Sequence, residues 1–450
     1  MLCRASTTEV GDRMQLSVIG CGYLGAVHAA AMAELGHTVV GIDVDAAKIA
    51  ALGAGQAPFF EPGLPELLLR GIEAGRLRFS TDIAEAAEAE AHFIAVGTPQ
   101  RKGDHGADLT FVDAALDALA PHVRPGAVVI GKSTVPVGTA SVLAQRLAAV
   151  QPEAVLAWNP EFLREGFAVR DTIEPDRIVY GLPEGAAGER AQQVLDEVYA
   201  VALAAGTPLV VADYATAELV KVAANAFLAT KISFINAMSE VADSVGADVT
   251  KLADAIGHDA RIGRKFLNAG VGFGGGCLPK DIRAFRARAE ELGLGDTLTF
   301  LKEVDAINLR QRERIVTLVV EALGRDIVGK RVTVLGLAFK PESDDIRDSP
   351  ALDVAVRLNG LGAKVTSTDP QAIANSRAKH PQLTYEPDTE LALADAEVVV
   401  LLTEWPEYRT LDPERVGALA AGRIVIDGRN VLAPERWRAA GWRYIGLGRP

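Results

Sequence analysis

The chain has 450 residues, of which 49% are hydrophobic and 23% are charged, a composition that is ordinary for globular proteins. This length exceeds what one hydrophobic core usually serves, and it predicts about three domains. The net charge of −13, the lack of a basic tract with interleaved aromatic residues and the lack of a long apolar run argue against a nucleic-acid partner and against a membrane span.

The N-terminus and the cysteines both predict a cytoplasmic protein. Residues 1–13 contain no apolar segment of the length that a signal peptide needs, and we expect them to form a disordered tail, with Met14 as an alternative start. The cysteines, Cys3, Cys21 and Cys277, are too few and too widely spaced for a disulfide framework. Such sparse thiols suit a reducing compartment.

A β-α-β unit opens the folded chain, because an apolar strand, Leu16 to Ile19, leads into the glycine-rich stretch GCGYLG. Its glycines, Gly20, Gly22 and Gly25, have the G-x-G-x-x-G spacing. In such a turn the first glycine bends the chain, the second admits a pyrophosphate and the third lets helix and strand pack closely. Asp43 ends the next strand, where a carboxylate binds the ribose hydroxyls of NAD and repels the 2′-phosphate of NADP. We therefore predict an NAD site, with a structural glycine turn as the alternative.

Further buried strands and helices follow this unit. The runs AHFIAVGTP and GAVVIGKSTVPVGT predict two strands, and Asp82 and Glu85 have the spacing of an N-cap residue and its N3 partner, which predicts the start of a helix. The alternation of strands and helices predicts a mostly parallel, doubly wound sheet. After a strand at 154–157, Glu161 and Glu165 lie four residues apart. They are candidate site residues, and ordinary helix-face carboxylates are the alternative.

A long uninterrupted helix is predicted in the middle of the chain. Residues 214–245 contain no glycine or proline, and their apolar residues recur at helical spacing. A helix of about 30 residues would be about 45 Å long, enough to join two domains and to offer a face to a second subunit. Lys221 and Asn225 are four residues apart on one side of it, either as a solvated edge or as part of a site.

The stretch GVGFGGGCLPKD, residues 270–281, places a single cysteine on a glycine-rich loop. Glycines permit positive φ angles and let a ligand approach the backbone closely. The ammonium of Lys280 would favour the thiolate form of Cys277, and Asp281 adds a carboxylate. These neighbours make Cys277 a candidate nucleophile, and a buried, inert thiol is the alternative.

A second α/β cycle begins near residue 330. The runs KRVTVLGLAFKP, AKVTSTDP, AEVVVLLTEW and GRIVIDGRN predict four strands separated by helices. Asp369 follows the second strand as Asp43 does in the first cycle, but GLAFKP replaces the glycine fingerprint, so we expect no dinucleotide to bind there in the same way. Lys340 and Arg347 follow the first strand, at the edge where α/β sheets bind ligands. Two cations suit a phosphate, and a surface ion-pair loop is the alternative.

These stretches together resemble the nucleotide-sugar dehydrogenases, the UDP-glucose/GDP-mannose dehydrogenase family. The resemblance runs from about Met14 to Asn430 and rests on GCGYLG, FFEPGLPELL, VGTPQ, KSTVPVGT, NPEFLREGFAVRD, PDRIV, ELVKVAANAFLATKISFINAMSE, RIGRKFLNAGVGFGGGCLPKD and GLAFKPESDDIRDSP. It implies an α/β fold of two Rossmann-like, doubly wound domains joined by a long central helix and a helical dimerisation domain. The implied division is a disordered tail at 1–13, an NAD-binding Rossmann domain at 14–212, a central helical dimerisation domain at 213–325 and a UDP-sugar-binding Rossmann-like domain at 326–450.

The resemblance also assigns roles to individual residues through the motifs that carry them. The catalytic residues that it implies are Cys277, Lys221, Asp281, Glu161, Asn225 and Thr134. The implied NAD contacts are Gly20, Gly22, Tyr23, Leu24, Gly25, Asp43, Lys48, Thr98, Thr134, Glu165, Lys280 and Arg347. The implied substrate contacts are Glu161, Phe162, Leu163, Lys221, Asn225, Phe266, Leu267, Asn268, Ala269, Gly270, Gly274 and Lys340, together with Arg261, which would reach the substrate of a neighbouring subunit.

The implied reaction is the four-electron oxidation of the C6 alcohol of UDP-glucose to UDP-glucuronate, with NAD as the cofactor and without a metal. Cys277 would form a thiohemiacetal and then a thioester, which water releases as the acid. The implied protein is a cytoplasmic homodimer or a higher homo-oligomer that binds neither nucleic acid nor membranes.

Three other functions stay open at this point. GDP-mannose dehydrogenases share the CLPKD motif, so another nucleotide-sugar 6-dehydrogenase is the nearest alternative, although RIGRKFLNAGVGFGG favours UDP-glucose. A two-electron hydroxyacid dehydrogenase of the 6-phosphogluconate type would share the first domain without needing Cys277. A non-catalytic NAD-binding or scaffold protein is the third.

Two residues beside Cys277 depart from the family pattern. Gly276 stands where serine is usual, and Leu278 stands where phenylalanine is common.

Overall fold

The structure is a computed structural model, and it describes residues 14–450. The predicted disordered tail, residues 1–13, lies outside the described residues. The chain divides into two compact units after Ala223. The domain boundaries inferred from the sequence, at 212 and 325, stay predictions.

The first unit is built around an eight-stranded sheet in the order β3-β2-β1-β4-β5-β6-β7-β8. Every pairing is parallel except the short antiparallel contact between β6 and β7. This confirms the predicted doubly wound sheet. The strands are β1 (Gln15–Ile19), β2 (Thr38–Ile42), β3 (Leu77–Ser80), β4 (Ala91–Ile94), β5 (Val128–Gly131), β6 (Val155–Trp158), β7 (Ile178–Gly181) and β8 (Leu209–Ala212).

Apolar cores cover both faces of this sheet. Successive residues of a strand point to opposite faces, and in β1 the neighbours Val18 and Ile19 belong to different core clusters, as do Phe93 and Ile94 in β4. The strands can therefore be continuous apolar runs. The helices are α1 (Tyr23–Glu34), α2 (Ala46–Gly53), α3 (Leu64–Glu73), α4 (Thr110–Leu119), α5 (Thr139–Val150), α6 (Ala168–Ile173), α7 (Ala186–Val198) and α8 (Ala200–Ala204), with 3₁₀ turns at Ile83–Ala86 and Ala120–His122.

The helix predicted after Asp82 is only the first of these 3₁₀ turns. The carboxylate of Asp82 does accept the backbone N–H of Ala84 at 2.9 Å, as an N-cap should. Glu85 does not complete the capping box, because its carboxylate pairs with Arg78 and accepts the hydroxyl of Ser80 at 2.6 Å. The N-cap prediction is thus confirmed, but a longer helix does not follow.

The long central helix is α9 (Tyr214–Val245), with the bounds that the sequence predicted. Its 32 residues correspond to a length of about 48 Å. Among residues 14–450, no helix combines the length and the apolar character that a membrane span requires.

The second unit has a six-stranded parallel sheet in the order β11-β10-β9-β12-β13-β14. The four predicted strands are β9, β10, β12 and β13; the short strands β11 and β14 were not predicted. The strands are β9 (Arg331–Leu335), β10 (Lys364–Thr368), β11 (Thr384–Tyr385), β12 (Val398–Leu401), β13 (Ile424–Asp427) and β14 (Arg443–Gly446). The helices are α10 (Val249–Gly257), α11 (Leu278–Glu291), α12 (Phe300–Ala322), α13 (Pro350–Gly360), α14 (Ile373–Lys379), α15 (Thr389–Leu393), α16 (Pro406–Arg409), α17 (Pro413–Leu419) and α18 (Pro434–Ala439).

The two sheets differ at the turn after their first strand. In the first unit, α1 begins directly behind the glycine turn, whereas in the second unit a loop separates β9 from α13. The carboxylate of Asp369 also accepts the backbone N–H groups of Leu337 at 2.7 Å and Ala338 at 3.0 Å. These two donors are therefore occupied within the protein, and the expectation that the second turn does not bind a dinucleotide as the first does stays a prediction.

Candidate active site

The GCGYLG turn has the shape that a bound pyrophosphate requires. Gly20 has a φ of 91°, which a side chain rarely adopts, and a Cβ on Gly25 would lie 1.8 Å from the carbonyl oxygen of Gly20. A Cβ on Gly22 would meet nothing within 4 Å. The first and third glycines are thus needed for the turn itself, and the second faces open space at the start of α1, where a phosphate can approach the backbone.

Asp43 is held as a carboxylate at the end of β2. It accepts the backbone N–H groups of Cys21 at 2.8 Å and Asp45 at 3.0 Å and pairs with Lys48 Nζ at 2.8 Å. Burial disfavours the charge, but the hydrogen bonds from Lys48 and from the two backbone groups outweigh it and lower the pKa of Asp43. The structure therefore brings together Asp43, predicted to contact the ribose of NAD, and Lys48, predicted as a further NAD contact.

Glu61, in the FFEPGL stretch, joins this turn to the segment that carries Glu165. Its carboxylate accepts the backbone N–H groups of Gly166 at 2.6 Å and Ala168 at 2.7 Å and the hydroxyl of Tyr23. Tyr23 was predicted as an NAD contact, and its hydroxyl is engaged here within the protein. Sequence reasoning gave Glu61 no role, because its backbone partners, Gly166 and Ala168, lie more than a hundred residues away and leave no local pattern.

The predicted cofactor residues Thr98 and Thr134 lie together beyond the carboxyl ends of β4 and β5. The hydroxyl of Thr98 donates to the carbonyl oxygen of Thr134 at 2.8 Å. The segment behind Thr134 is fixed by the buried Glu218 of α9, which accepts the backbone N–H groups of Gly138 at 2.7 Å and Ala140 at 2.6 Å at the start of α5. In parallel α/β sheets this edge is where ligands bind.

Glu161, which is partly exposed, and the buried Lys221 form an ion pair in the first unit, at 2.8 Å between Oε1 and Nζ. The other oxygen of Glu161 accepts the backbone N–H of Leu163 at 2.8 Å. The ring of Phe162 lies 5.6 Å from Lys221 Nζ and 3.8 Å from the guanidinium carbon of Arg177. The structure thus brings together four residues with predicted catalytic or substrate-binding roles: Glu161, Phe162, Leu163 and Lys221. Arg177, which had no predicted role, lies beside them.

A second buried lysine, Lys132, lies beneath this group and was not predicted. Its Nζ donates to Asn159 Oδ1 at 2.8 Å and to the hydroxyl of Tyr199 at 3.2 Å. Together with His28 and Glu161, these residues line a cavity of about 50 Å³. The sequence contained KSTVPVGT and NPEF, but no spacing rule connects Lys132 with Asn159.

Cys277 is exposed at the N-cap of α11. A helix N-terminus favours negative charge, so this position suits a thiolate. One turn into the helix, the buried carboxylate of Asp281 accepts the Asn225 Nδ2 amide at 2.7 Å and pairs with Lys280 Nζ at 2.7 Å. The alternative of a buried thiol is therefore excluded for Cys277.

The glycines before Cys277 are needed for contacts within the protein. A Cβ would lie 2.4 Å from Asn308 Oδ1 at Gly272, 2.4 Å from the carbonyl oxygen of Asp348 at Gly274, 2.8 Å from the Phe339 ring at Gly275 and 2.4 Å from the Arg347 guanidinium carbon at Gly276. The interpretation of these glycines as leaving room for a ligand is corrected: a side chain at each of them would clash with the protein itself. The expectation of positive φ is confirmed at Gly272 and Gly275, with φ of 104° and 83°.

The predicted substrate segment at 266–270 offers backbone as well as side chains. The side chains of Leu267 and Ala269 are buried in a core cluster, so only their backbone is available to a ligand. Phe266 is exposed and adopts a φ of 66°, which is unusual for a bulky residue and marks a constrained loop. The side chain of Arg261 is 89% exposed and pairs with Asp259 at 2.6 Å.

The loop that carries Lys340 and Arg347 is hydrogen-bonded to the glycine-rich loop. The backbone N–H of Gly275 donates to the carbonyl oxygen of Arg347 at 2.8 Å. The Arg347 guanidinium pairs with Asp345 at 2.8 Å and is well exposed. The two loops of the second unit, with their cations and Cys277, therefore form one connected surface.

The chain is similar to known proteins over nearly its whole length. The UDP-glucose/GDP-mannose dehydrogenase family is matched by its NAD binding domain at residues 14–202, its central domain at 215–310 and its UDP binding domain at 333–434. A UDP-glucose 6-dehydrogenase of Rhizobium meliloti is 43% identical, over 97% of this chain and 100% of the relative. A UDP-glucose 6-dehydrogenase of Bacillus subtilis is 41% identical, over 97% of this chain and 93% of the relative.

The solved structures agree with this assignment. A UDP-glucose dehydrogenase from the archaeon Pyrobaculum islandicum superposes with a TM-score of 0.89 at 40% identity and covers 99% of this chain and 100% of its own. A UDP-D-ManNAc dehydrogenase from Pyrococcus horikoshii gives a TM-score of 0.83 at 26% identity, over 97% and 99% of the two chains. The chain belongs to the UDP-glucose/GDP-mannose dehydrogenase family, the NAD-dependent oxidoreductases that act on nucleotide sugars.

Proposed function

We propose that this protein oxidises the C6 alcohol of UDP-glucose to the carboxylate of UDP-glucuronate in two NAD-dependent steps. The observation that carries the proposal is the exposed Cys277 at the N-terminus of α11, beside the buried Asn225–Asp281 pair. A simple alcohol dehydrogenase needs no such nucleophile. The names of the similar proteins in Rhizobium meliloti and Bacillus subtilis support UDP-glucose as the substrate.

The first unit would hold the cofactor. The open space before Gly22 fits a pyrophosphate, and Asp43 with Lys48 fits the adenosine ribose. Thr98 and Thr134 lie at the edge of the sheet where the nicotinamide end would extend. NAD⁺, when bound, accepts one hydride from the substrate carbon in each of the two oxidations.

Cys277 makes the second oxidation possible. The aldehyde left by the first oxidation is planar and a poor hydride donor, so the Cys277 thiolate adds to its carbon and forms a C–S bond. The resulting thiohemiacetal gives up its hydroxyl proton and a hydride and becomes a thioester. Water then adds to the thioester carbon, the C–S bond breaks with its electron pair returning to sulfur, and the carboxylate leaves. The sum is one alcohol, one water and two NAD⁺ giving one carboxylate, two NADH and three protons.

The polar residues around these steps have separate roles. Lys221, with help from Asn225, stabilises the oxyanion that develops on the substrate oxygen. Asp281 and Glu161 accept protons, including the proton of the attacking water. Burial of Lys221, Asn225 and Asp281 supports these roles, because charges act more strongly away from water.

The second unit would hold the nucleotide sugar. Lys340, the backbone of Gly274 and the segment at 266–270 are the proposed contacts, and the match to the family's UDP binding domain supports a uridine nucleotide. We further propose a cytoplasmic homodimer or higher homo-oligomer. Phe227 and Phe234, exposed on α9, support assembly, and the 89% exposure of the Arg261 side chain leaves it accessible to a second copy.

Counting the NADH formed per sugar tests the proposal. The purified protein is given NAD⁺ in excess with limiting UDP-glucose, GDP-mannose or UDP-N-acetylmannosamine, and absorbance reports NADH. We expect UDP-glucose to react best and to yield two NADH. A single NADH per sugar would support the two-electron hydroxyacid dehydrogenase instead. A preference for another sugar would correct the substrate. No NADH with any sugar would favour a non-catalytic NAD-binding or scaffold protein.

A further inference from the structure

A buried lysine without an assigned role lies beside Glu161. Lys132 follows β5, and its ammonium is held by neutral groups, Asn159 Oδ1 at 2.8 Å and the hydroxyl of Tyr199 at 3.2 Å. Lysine is almost never fully buried, because removing its charge from water is costly. A lysine retained in this position needs a reason beyond packing.

The partners of Lys132 fix the chain directly before Glu161. Asn159 Oδ1 also accepts the Tyr199 hydroxyl at 2.6 Å, and its Nδ2 donates to the carbonyl oxygen of Val179 at 2.9 Å. Both ends of the amide are therefore held. Only Pro160, whose φ angle is restricted, separates Asn159 from Glu161. The position of Asn159 therefore fixes the backbone position of Glu161.

We infer that Lys132 is a positioning residue, which acts through Asn159 to hold the carboxylate of Glu161 where it activates water against the Cys277 thioester. The inference rests on the proposed function. It assigns Lys132 to the hydrolytic step, in which water adds to the thioester carbon, its proton passes to Glu161 and the C–S bond breaks.

The charges around Lys132 add a pH dependence. Burial lowers the pKa of Lys132 to about 8; Glu161 opposes this shift and Lys221 adds to it. His28 also faces Lys132, but burial lowers its pKa well below 6.5, and burial raises the pKa of Tyr199, so neither changes charge near pH 8. Lys132 is charged below about pH 8 and neutral above it. Its hold on Asn159 and Glu161 therefore weakens as the pH rises through that value.

The covalent intermediate gives a direct test. Wild type, Lys132→Met, Lys132→Arg and Glu161→Gln are mixed with NAD⁺ and UDP-glucose, quenched, and weighed intact by mass spectrometry. We expect Lys132→Met and Glu161→Gln to accumulate a covalent adduct on Cys277 after a burst of NADH, with hydrolysis slowed about tenfold or more. Lys132→Arg keeps a cation and should restore part of the hydrolysis.

The outcomes separate the inference from its premises. Wild-type turnover in Lys132→Met would overturn the positioning role. Loss of the NADH burst in this variant without an adduct would also overturn it, because that result indicates general damage to the enzyme. Failure of wild type and Glu161→Gln to form any NADH would instead reject the proposed function. Lys330→Met, which removes a lysine paired with Glu397 in the second unit, is the matched control and should behave as wild type.

A pH series gives a second readout that a merely structural lysine would not change. The lifetime of the adduct in wild type should lengthen as the pH rises through about 8. Lys132→Arg, whose guanidinium stays charged, should shift this change to higher pH. An identical pH profile in wild type and Lys132→Arg would assign the titration to another group and would contradict the inference.

Discussion

Cys277 and Cys21 show how position decides whether a thiol is reactive. Cys21 lies inside the glycine turn and is fully buried, and burial, with a smaller contribution from Asp43, raises its pKa to about 12. It stays a protonated thiol at physiological pH. Cys277 is exposed at a helix N-terminus, which favours a thiolate. Of these two cysteines, only Cys277 is therefore expected to act as a nucleophile.

Replacing Cys277 by alanine should abolish the net formation of UDP-glucuronate. Without sulfur no thioester forms, so formation of UDP-glucuronate should fall by more than about 10³-fold, while NAD⁺ and UDP-glucose still bind. Chromatography of the nucleotide sugars measures the first effect and titration calorimetry measures the second. Cys3→Ala is the matched control for removing a thiol. Normal turnover in Cys277→Ala would reject the covalent mechanism.

Replacing Asp43 by alanine should weaken the preference for NAD over NADP. The change removes the carboxylate that repels a 2′-phosphate and leaves Lys48 without its partner at 2.8 Å, so that its ammonium can pair with that phosphate. We expect KM for NAD to rise about 10- to 100-fold, as for the loss of a charged hydrogen bond. Kinetics with both cofactors measure the change. Asp388→Ala, which removes a helix cap in the second unit, should leave the cofactor ratio unchanged, and an unaltered ratio in Asp43→Ala would contradict the ribose assignment.

At the scale of elements, α6 depends on a carboxylate that is distant in sequence. The side chain of its N-cap residue, Phe167, makes no capping hydrogen bond. The carboxylate of Glu61 instead accepts the backbone N–H groups of Gly166 and Ala168. Glu165 directly precedes Gly166. The same carboxylate that starts α6 thus fixes the loop with the predicted site residues and ties it to Tyr23 of the GCGYLG turn, the predicted cofactor turn.

Replacing Glu61 by glutamine should therefore affect both stability and cofactor binding. Each oxygen of Glu61 accepts a backbone N–H, and the glutamine NH₂ would face one of them as a second donor. The free energy of unfolding should fall by about 1–3 kcal/mol and KM for NAD should rise. Denaturant melts and kinetics measure the two quantities. Glu397→Gln, at a partly exposed glutamate that also accepts a backbone N–H, should change neither. A stable Glu61→Gln with unaltered KM would remove the link between α6 and the cofactor turn.

Local patterns explain what could be predicted from the sequence. The bounds of α9 follow from a glycine-free, proline-free amphipathic run, and the nucleotide turn follows from glycine spacing and Asp43. Sequence patterns missed Glu61, Lys132 and Asn159, because these residues make their hydrogen bonds to distant segments of the chain. The glycines before Cys277 were recognised, but only the structure shows the neighbours that require them.

At the scale of the whole molecule, α9 presents an apolar stripe. Phe227, Phe234, Val241 and Val245 are 66%, 48%, 53% and 69% exposed. Their separations of seven, seven and four residues place them on one side of the helix. Exposed apolar side chains in a row are typical of an interaction surface, and a second copy of this chain is the proposed occupant.

A charge in this stripe should separate the copies. Phe234→Glu would bury a carboxylate against an apolar partner surface, which is costly, so the mass in solution should fall towards that of one chain, 47.5 kDa. Light scattering after size exclusion measures it. Activity should fall with the mass, because Arg261 is proposed to reach the substrate of the neighbouring copy. Leu391→Glu, at a more exposed apolar residue on α15, should keep the wild-type mass. An unchanged mass in Phe234→Glu would mean that α9 is not where the copies meet, and a full loss of mass with wild-type activity would remove Arg261 from the site.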